Sequence, residues 1–244
     1  DIDIKHIPTQ NDKYKTKIRT AMAANNEPDI FMTWGSSSLE KYVDNGKVYD
    51  LTKHLKGKDW IKRFTPAALD LGMVDGKYYG VPITNIAVSL VWYRKDIFEK
   101  YNLEEPETYQ ELLNIVKTLK DNGKIPFALA NKSKWTGSMY FMYLADRIGG
   151  PDEVKEALNR EGKFNDEAFV EAGRKIQELV DLGAFPKGMN GMSEDAGQSR
   201  ALLYSGKAGM YLMGTWAYGL FKKENPGMLD QFDFFTFPAV KSGE

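Results

Sequence analysis

The stretch YYGVPITNIAVSLVWYRKD, residues 78–96, decides the fold of this chain. Gly80 and Pro82 interrupt its first part, and a nearly unbroken apolar run follows at residues 86–93. An apolar run of this length between turn residues is typical of a strand covered on both faces, as in a parallel sheet flanked by helices. Asp96 is then predicted to cap a new helix. The stretch therefore predicts a central strand of an α/β protein.

Two polar residues, Thr84 and Asn85, lie between the apolar residues of this stretch. Asn85 either faces a cleft, where it would contact a ligand, or forms a hydrogen bond inside a buried strand. The residues alone leave both interpretations open.

Alternating elements flank the central stretch on both sides. Towards the N-terminus, the apolar spacing predicts strands at 1–7 and 29–34 and helices at 14–25 and 36–46, an order that favours a parallel sheet. Towards the C-terminus, Thr108 to Glu111 has the pattern of a capping box. The other predicted elements are a strand at 125–130, helices at 135–150 and up to Gly183, a strand at 207–214, a helix capped by Thr215, and a strand at 232–240.

Composition excludes several classes of function. The 244 residues are 42% hydrophobic and 13% aromatic, which is enough for a packed core. The 33 basic residues nearly balance the 34 acidic ones, so no global field attracts nucleic acid, and no nucleic-acid partner is expected. No apolar run approaches the length of a membrane helix. The chain starts inside one predicted strand and stops after another, so we expect it to be truncated at both ends.

Signals for catalysis or metal binding are weak. The absence of cysteine excludes disulfides and thiolate sites, and His6 and His54 lie in polar, locally basic surroundings. Ser38 to Lys41 fits S-x-x-K, but its companion motifs are absent. We therefore expect no catalytic residue, no metal site, no cofactor and no enzyme. A carbohydrate-active enzyme is the less favoured alternative. It would need two placed carboxylates, and a possible pair is weak evidence in a chain with 34 acidic residues.

Four stretches in the same order resemble one family. Residues 80–113, GVPITNIAVSLVWYRKDIFEKYNLEEPETYQELL, are similar to the central segment of the extracellular solute-binding proteins of ABC importers, in the sugar-binding group that includes maltose-binding protein. Residues 28–52, PDIFMTWGSSSLEKYVDNGKVYDLT, residues 206–216, GKAGMYLMGTW, and the final strand at 232–240 also resemble that family. Arg94 and Tyr109 depart mildly from its pattern.

This resemblance implies an α/β, two-lobe periplasmic-binding-protein type II fold, each lobe being a mainly parallel sheet flanked by helices. Lobe one would comprise 1–83 and 238–244, and lobe two 88–234. The hinge crossings would lie near 84–87 and 235–238.

The resemblance also implies a function without catalysis. A mono- or oligosaccharide would bind between the lobes, and the protein would deliver it to an ABC permease in the membrane. We expect a monomer outside the cytoplasm of a bacterium, either as a cell-surface lipoprotein or in the periplasm. A binding protein for a non-sugar solute, such as a peptide or an anion, is the alternative.

Aromatic residues at strand ends are the main candidates for ligand contact, since ligands bind there in open α/β sheets. Sugars present flat apolar CH faces to aromatic rings and hydroxyls to polar groups. The candidate contacts are Trp34, Ser36, Asn85, Trp135, Tyr140 and Trp216. Alternatively, the three tryptophans are core residues, Ser36 caps a helix, and Tyr140 faces core or solvent.

Overall fold

The computed structural model describes residues 1–57, 59–83 and 86–240. The chain divides into two compact units, Asp1–Ala87 and Val88–Glu244. This boundary falls at the crossing predicted near 84–87, although the lobe boundaries themselves stay a prediction. Asn85 and residues 241–244 lie outside the described residues.

The first unit is mainly helical. Its elements are α1 (Asn11–Ala23), α2 (Ser36–Asp44), α3 (Thr52–Lys56), a 3-10 turn (Trp60–Arg63), α4 (Pro66–Asp70), and the antiparallel pair β1 (Met73–Val74) and β2 (Lys77–Tyr78). The buried side chains of Ile18, Met22, Leu39 and Leu55 form part of its interior. The hydroxyl of Tyr14 bonds both the backbone nitrogen and the backbone oxygen of Met32 at 2.8 Å, which holds residues 29–34 beside α1.

The strands predicted at 1–7 and 29–34 are wrong. Neither segment forms a strand, and Ile2, Ile4 and Ile30 are 90%, 81% and 89% exposed. Alternating apolar residues indicate a face that can be buried, but a strand also requires a hydrogen-bonded neighbour. Neither segment has such a neighbour within the described part of the chain.

The second unit contains a four-stranded sheet in the order β4-β5-β3-β6. Its strands are β3 (Ser89–Arg94), β4 (Ile125–Phe127), β5 (Ala208–Gly214) and β6 (Phe232–Phe235). The α/β class is confirmed, but the expectation of a mainly parallel sheet is wrong. Only β4 and β5 are parallel, and β3 is antiparallel to both β5 and β6. An apolar run shows that a strand is covered on both faces and does not reveal the direction of its neighbours.

Helices cover both faces of this sheet. They are α5 (Lys95–Lys100), α6 (Tyr109–Asp121), α7 (Trp135–Gly149), α8 (Pro151–Asn159), α9 (Glu167–Asp181), α10 (Gln198–Tyr204) and α11 (Ala217–Glu224), with 3-10 turns at Met189–Gly191 and Pro226–Gln231. Val91 and Tyr93 point into a core with α6, α7 and α9. Leu90 and Trp92 point into a second core with α10 and α11. The central strand predicted from the apolar run is therefore buried on both sides.

Two predicted helix caps differ in the structure. Helix α5 begins at Lys95, and Asp96 in its first turn receives two hydrogen bonds from the Arg94 guanidinium, at 2.8 and 2.6 Å. Helix α11 follows Trp216 and has no side-chain cap, whereas the backbone nitrogen of Thr215 donates to Val88. Thr215 instead extends the β3–β5 ladder.

The capping box of α6 is confirmed. The Thr108 hydroxyl accepts from the Glu111 nitrogen at 3.3 Å, and the Glu111 carboxylate accepts from the Thr108 nitrogen at 3.0 Å. These backbone hydrogen bonds hold the pKa of Glu111 below its usual value.

Loss of this cap has a measurable cost. Thr108→Ala should lower the free energy of unfolding by about 1 kcal/mol, because a backbone donor loses its partner. Urea denaturation checks this value. Thr108→Ser keeps the hydroxyl and should retain most of the stability, so equal losses in both variants would contradict the capping role.

Candidate ligand-binding site

The candidate site lies where β4 and β5 end. Because these neighbouring strands are parallel, their carboxyl ends share one edge of the sheet. The chain leaves β4 through residues 128–134 and starts α7 at Trp135. It leaves β5 through Thr215 and Trp216 and starts α11 at Ala217. The topology therefore brings Trp135 and Trp216 together from positions far apart in the sequence.

The two indole rings form a partly exposed aromatic surface. Their centroids are 6.4 Å apart and their planes meet at 52°. Trp216 is 46% exposed, and Trp135 is half-buried. Trp135 packs with one side against the core that contains Leu90 and Trp92, whereas Trp216 is the more exposed of the two, and the role of both rings in ligand contact stays a prediction. Two inclined rings can cover the apolar CH faces of a ring-shaped ligand.

Polar side chains lie next to Trp135 in the chain and bond to the turn at Met189–Gly191. Asn131 donates to the Asn190 side-chain oxygen at 2.8 Å, and the Lys134 ammonium donates to the same oxygen at 3.2 Å. Lys134 and Asn190 are exposed. Amide and ammonium groups of this kind can bond the hydroxyls of a ligand. We call Asn131, Lys134 and Asn190 the polar rim.

The polar rim was not predicted from the sequence. Asn131 and Lys134 lie in the loop after a predicted strand, but this position does not distinguish them from other loop residues. Asn190 gave less signal, because its link to Asn131 spans 59 positions of the sequence.

The backbone fixes the loops of the polar rim to each other. The nitrogen of Asn131 donates to Met189 at 2.8 Å, and the nitrogen of Lys132 donates to Met192 at 2.9 Å. The Asn131 side-chain oxygen accepts from the nitrogen of Gly137 at 3.0 Å, in the first turn of α7. The rim and the start of the helix that carries Trp135 therefore form one hydrogen-bonded assembly.

A buried charged cluster anchors the chain just beyond this loop. Arg200 on α10 pairs with Glu194 at 2.6 Å and with Glu224 at the end of α11 at 2.8 Å. The Tyr211 hydroxyl on β5 donates to Glu194 at 2.6 Å, and burial followed by the Glu194 charge raises the pKa of Tyr211 well above its usual value. The cluster thereby connects the loop, β5 and α11.

The structure places Tyr140 in the core. Its side chain is 2% exposed, and its ring lies 5.4 Å from Phe127 and 5.2 Å from Phe185, edge-on to both. Burial raises the pKa of its hydroxyl well above the usual value. This position matches the core alternative for Tyr140, so we do not include it in the candidate site.

The other three predicted contacts fall within the residue range of the first unit. Trp34 belongs to the first unit, is 43% exposed, meets Tyr14 edge-on at 6.0 Å and has the Lys15 ammonium 5.1 Å from its ring centre. Ser36 is the first residue of α2, and its side chain is not among those described. Asn85 lies outside the described residues. The roles of all three stay predictions.

None of the helices within the described residues has the length and apolar character needed to cross a lipid bilayer.

Known structures share this fold. A structure from work on xylan utilization by Caldanaerobius polysaccharolyticus is 36% identical with a TM-score of 0.89, covering 97% of this chain and 59% of that one. A chitin oligosaccharide binding protein is 28% identical with a TM-score of 0.81, covering 93% of this chain and 56% of that one. The two-lobe solute-binding fold is therefore shown.

Related sequences belong to the same class of protein as these structures. An uncharacterized ABC transporter extracellular-binding protein of Pyrococcus horikoshii is 26% identical over 226 residues, which is 92% of this chain and 50% of that protein. The chain thus spans about half the length of the relatives that it matches. The profile of the bacterial extracellular solute-binding proteins matches residues 1–244 in full. The chain belongs to the family of bacterial extracellular solute-binding proteins.

Proposed function

We propose that the protein binds a carbohydrate through Trp135 and Trp216 and delivers it to an ABC permease without chemical change. The inclined, partly exposed indole pair is the observation that carries this proposal. An apolar surface beside neutral amides and one ammonium suits an uncharged, hydroxyl-rich ligand. Similarity to the chitin oligosaccharide binding protein and to the structure from work on xylan utilization supports the same ligand class.

The finer parts of the function are proposals of the same kind. Family membership and similarity to an ABC transporter extracellular-binding protein support a permease partner and a location outside the cytoplasm. A lipid anchor, a monomeric state and closure of two lobes around the ligand are further expectations. Ligand binding would favour the closed state by its higher affinity for that state.

A thermal-unfolding screen of the full-length protein tests the ligand class. The panel contains xylo-oligosaccharides, chito-oligosaccharides, their monosaccharides, a short peptide and inorganic phosphate. A ligand at one hundred times its dissociation constant should add about 2.7 kcal/mol to the free energy of unfolding. We expect stabilisation by one oligosaccharide class, no dependence of its affinity on salt, and no cleavage product after prolonged incubation.

Two variants connect the result to the candidate site. Trp216→Ala should weaken sugar binding by about 30-fold or more, since a tryptophan that the bound ligand covers contributes about 2 kcal/mol. Tyr218→Ala removes a neighbouring exposed aromatic ring that is outside the indole pair, and should bind as the wild type does. Stabilisation by the peptide or by phosphate instead of any sugar would overturn the proposal, and so would sugar turnover.

A further inference from the structure

Position 214, two residues before Trp216, is a glycine although its place in a strand does not call for one. Gly214 ends β5, is buried, and pairs with Ser89 of β3. Its φ is not in the left-handed region, so any residue could adopt this backbone conformation. Inside a strand, glycine weakens the structure compared with residues that carry a side chain. A reason for glycine at this position is therefore sought in the surroundings of its Cα atom.

Those surroundings are the ring of Trp216. A Cβ atom added at Gly214 would overlap Cζ3, Cη2 and Cε3 of that indole, so the outer edge of the six-membered ring rests on the Gly214 backbone. The three atoms that would lie nearest to this Cβ all belong to the Trp216 ring. Trp216 is 46% exposed, so a side chain at position 214 would displace its ring towards solvent.

We infer that Gly214 is a positioning residue that sets the orientation of the Trp216 ring beside Trp135, and so shapes the sugar-binding surface. The part concerning sugar rests on the proposed function. The role of Gly214 in orienting the ring does not rest on it, because the close approach of Trp216 to Gly214 and its pairing with Trp135 are independent of any ligand. A side chain at 214 would separate the rings and reduce affinity while leaving every polar rim residue in place.

Circular dichroism reports the ring orientation directly. Two indoles 6.4 Å apart at 52° couple their electronic transitions and give a paired positive and negative band. Trp135→Phe and Trp216→Phe each identify that signal by abolishing it. Gly214→Ala should also abolish it. A wild-type signal in Gly214→Ala would overturn the inference.

A double-mutant cycle separates ring positioning from a simple need for glycine. Gly214→Ala should lower the melting temperature by about 2–8 °C in the wild-type background, as overpacking does. In the Trp216→Ala background, the same change should have little effect, since the overlapping ring is gone. An equal loss in both backgrounds would show that the backbone requires glycine, and would contradict the inference.

Gly209 provides a matched control on the same strand. A Cβ atom there would lie 2.8 Å from the Leu119 side chain, in the core and away from the indole pair. Gly209→Ala should lower the melting temperature to the same extent in both Trp216 backgrounds and keep the coupled indole signal.

A binding experiment measures the affinity of each variant for xylo-oligosaccharide and chito-oligosaccharide. Gly214→Ala should lose about tenfold or more in affinity for the sugar that the wild type binds. If neither sugar binds the wild type, the proposed function fails, while the spectra and the cycle still decide the role of Gly214.

Discussion

Replacing Arg200 with methionine should lower the free energy of unfolding by about 3–5 kcal/mol, because it leaves a buried carboxylate without its counter-charge. The side chains of Arg200 and Glu194 are each 7% exposed and are paired at 2.6 Å. Arg200 also gives two hydrogen bonds of 2.8 Å to Glu224. Denaturant unfolding of the full-length protein measures the loss.

A second substitution identifies the cause of that loss. In Arg200→Met with Glu194→Gln, the buried carboxylate is removed and only Glu224, whose side chain is 33% exposed, loses its counter-charge, while the glutamine oxygen still accepts from Tyr211. This double variant should recover more than about 1 kcal/mol over Arg200→Met alone. If it unfolds at the same denaturant concentration as Arg200→Met, the buried charge is not responsible.

The pH dependence of stability should also change in the single variant Arg200→Met. Hydrogen bonds from Arg200 hold the pKa of Glu224 below its usual value. A lowered folded-state pKa contributes stability that is complete above the unfolded-state pKa and is lost as the pH falls through the folded-state pKa. The wild type should therefore lose this contribution in acid, and Arg200→Met should retain only the smaller part that the Tyr204 hydrogen bond and the Lys223 charge supply.

Replacing Phe221 with alanine should cost about 3–5 kcal/mol of unfolding free energy, since a fully buried ring is removed and a cavity remains. Phe221 is 0% exposed and lies 5.3 Å from Trp92 and 4.6 Å from Phe232, measured between ring centroids. It secures α11, the helix that begins directly after Trp216. Calorimetry or denaturant unfolding measures the cost.

Tyr218→Ala is the control for Phe221→Ala because it removes an aromatic ring from the same helix at a position that is 54% exposed. It should change the unfolding free energy by about 0.5 kcal/mol or less. Similar losses in both variants would mean that α11 depends on aromatic content and not on the buried contact.

Local signals were reliable where a short segment determines its own structure. The capping box at Thr108 needs four consecutive residues and is present as predicted. The helix predicted at 135–150 is α7, and the apolar run at 86–93 covers β3 except for its last residue, Arg94. These features depend on backbone preferences and on spacing, both of which are visible in the sequence.

Features that depend on distant partners were not accessible. The segments at 1–7 and 29–34 have the apolar alternation of strands but no paired neighbour among the described residues. The antiparallel direction of β3 was missed for the same reason, since pairing joins it to a strand more than a hundred positions away.

The candidate site shows the same division. Trp135 and Trp216 are candidates because each follows a predicted strand that the structure contains, and their role in ligand binding stays a prediction. The polar rim depends on a side-chain bond between Asn131 and Asn190, and the role of Gly214 depends on where one ring rests. Neither of these contacts produces a local sequence pattern.

The antiparallel pairing of β3 with β6 brings two points of the second unit together that are distant in sequence. Among the described residues, β3 is the first strand of this unit and β6 the last, and Val91 lies opposite Phe235 across the ladder. The first and last strands of about 150 residues are therefore adjacent, as in domains inserted into a host protein. The segment from β3 to β6 therefore begins and ends at neighbouring points of the sheet, and it carries the indole pair, its loops and its charged cluster between them.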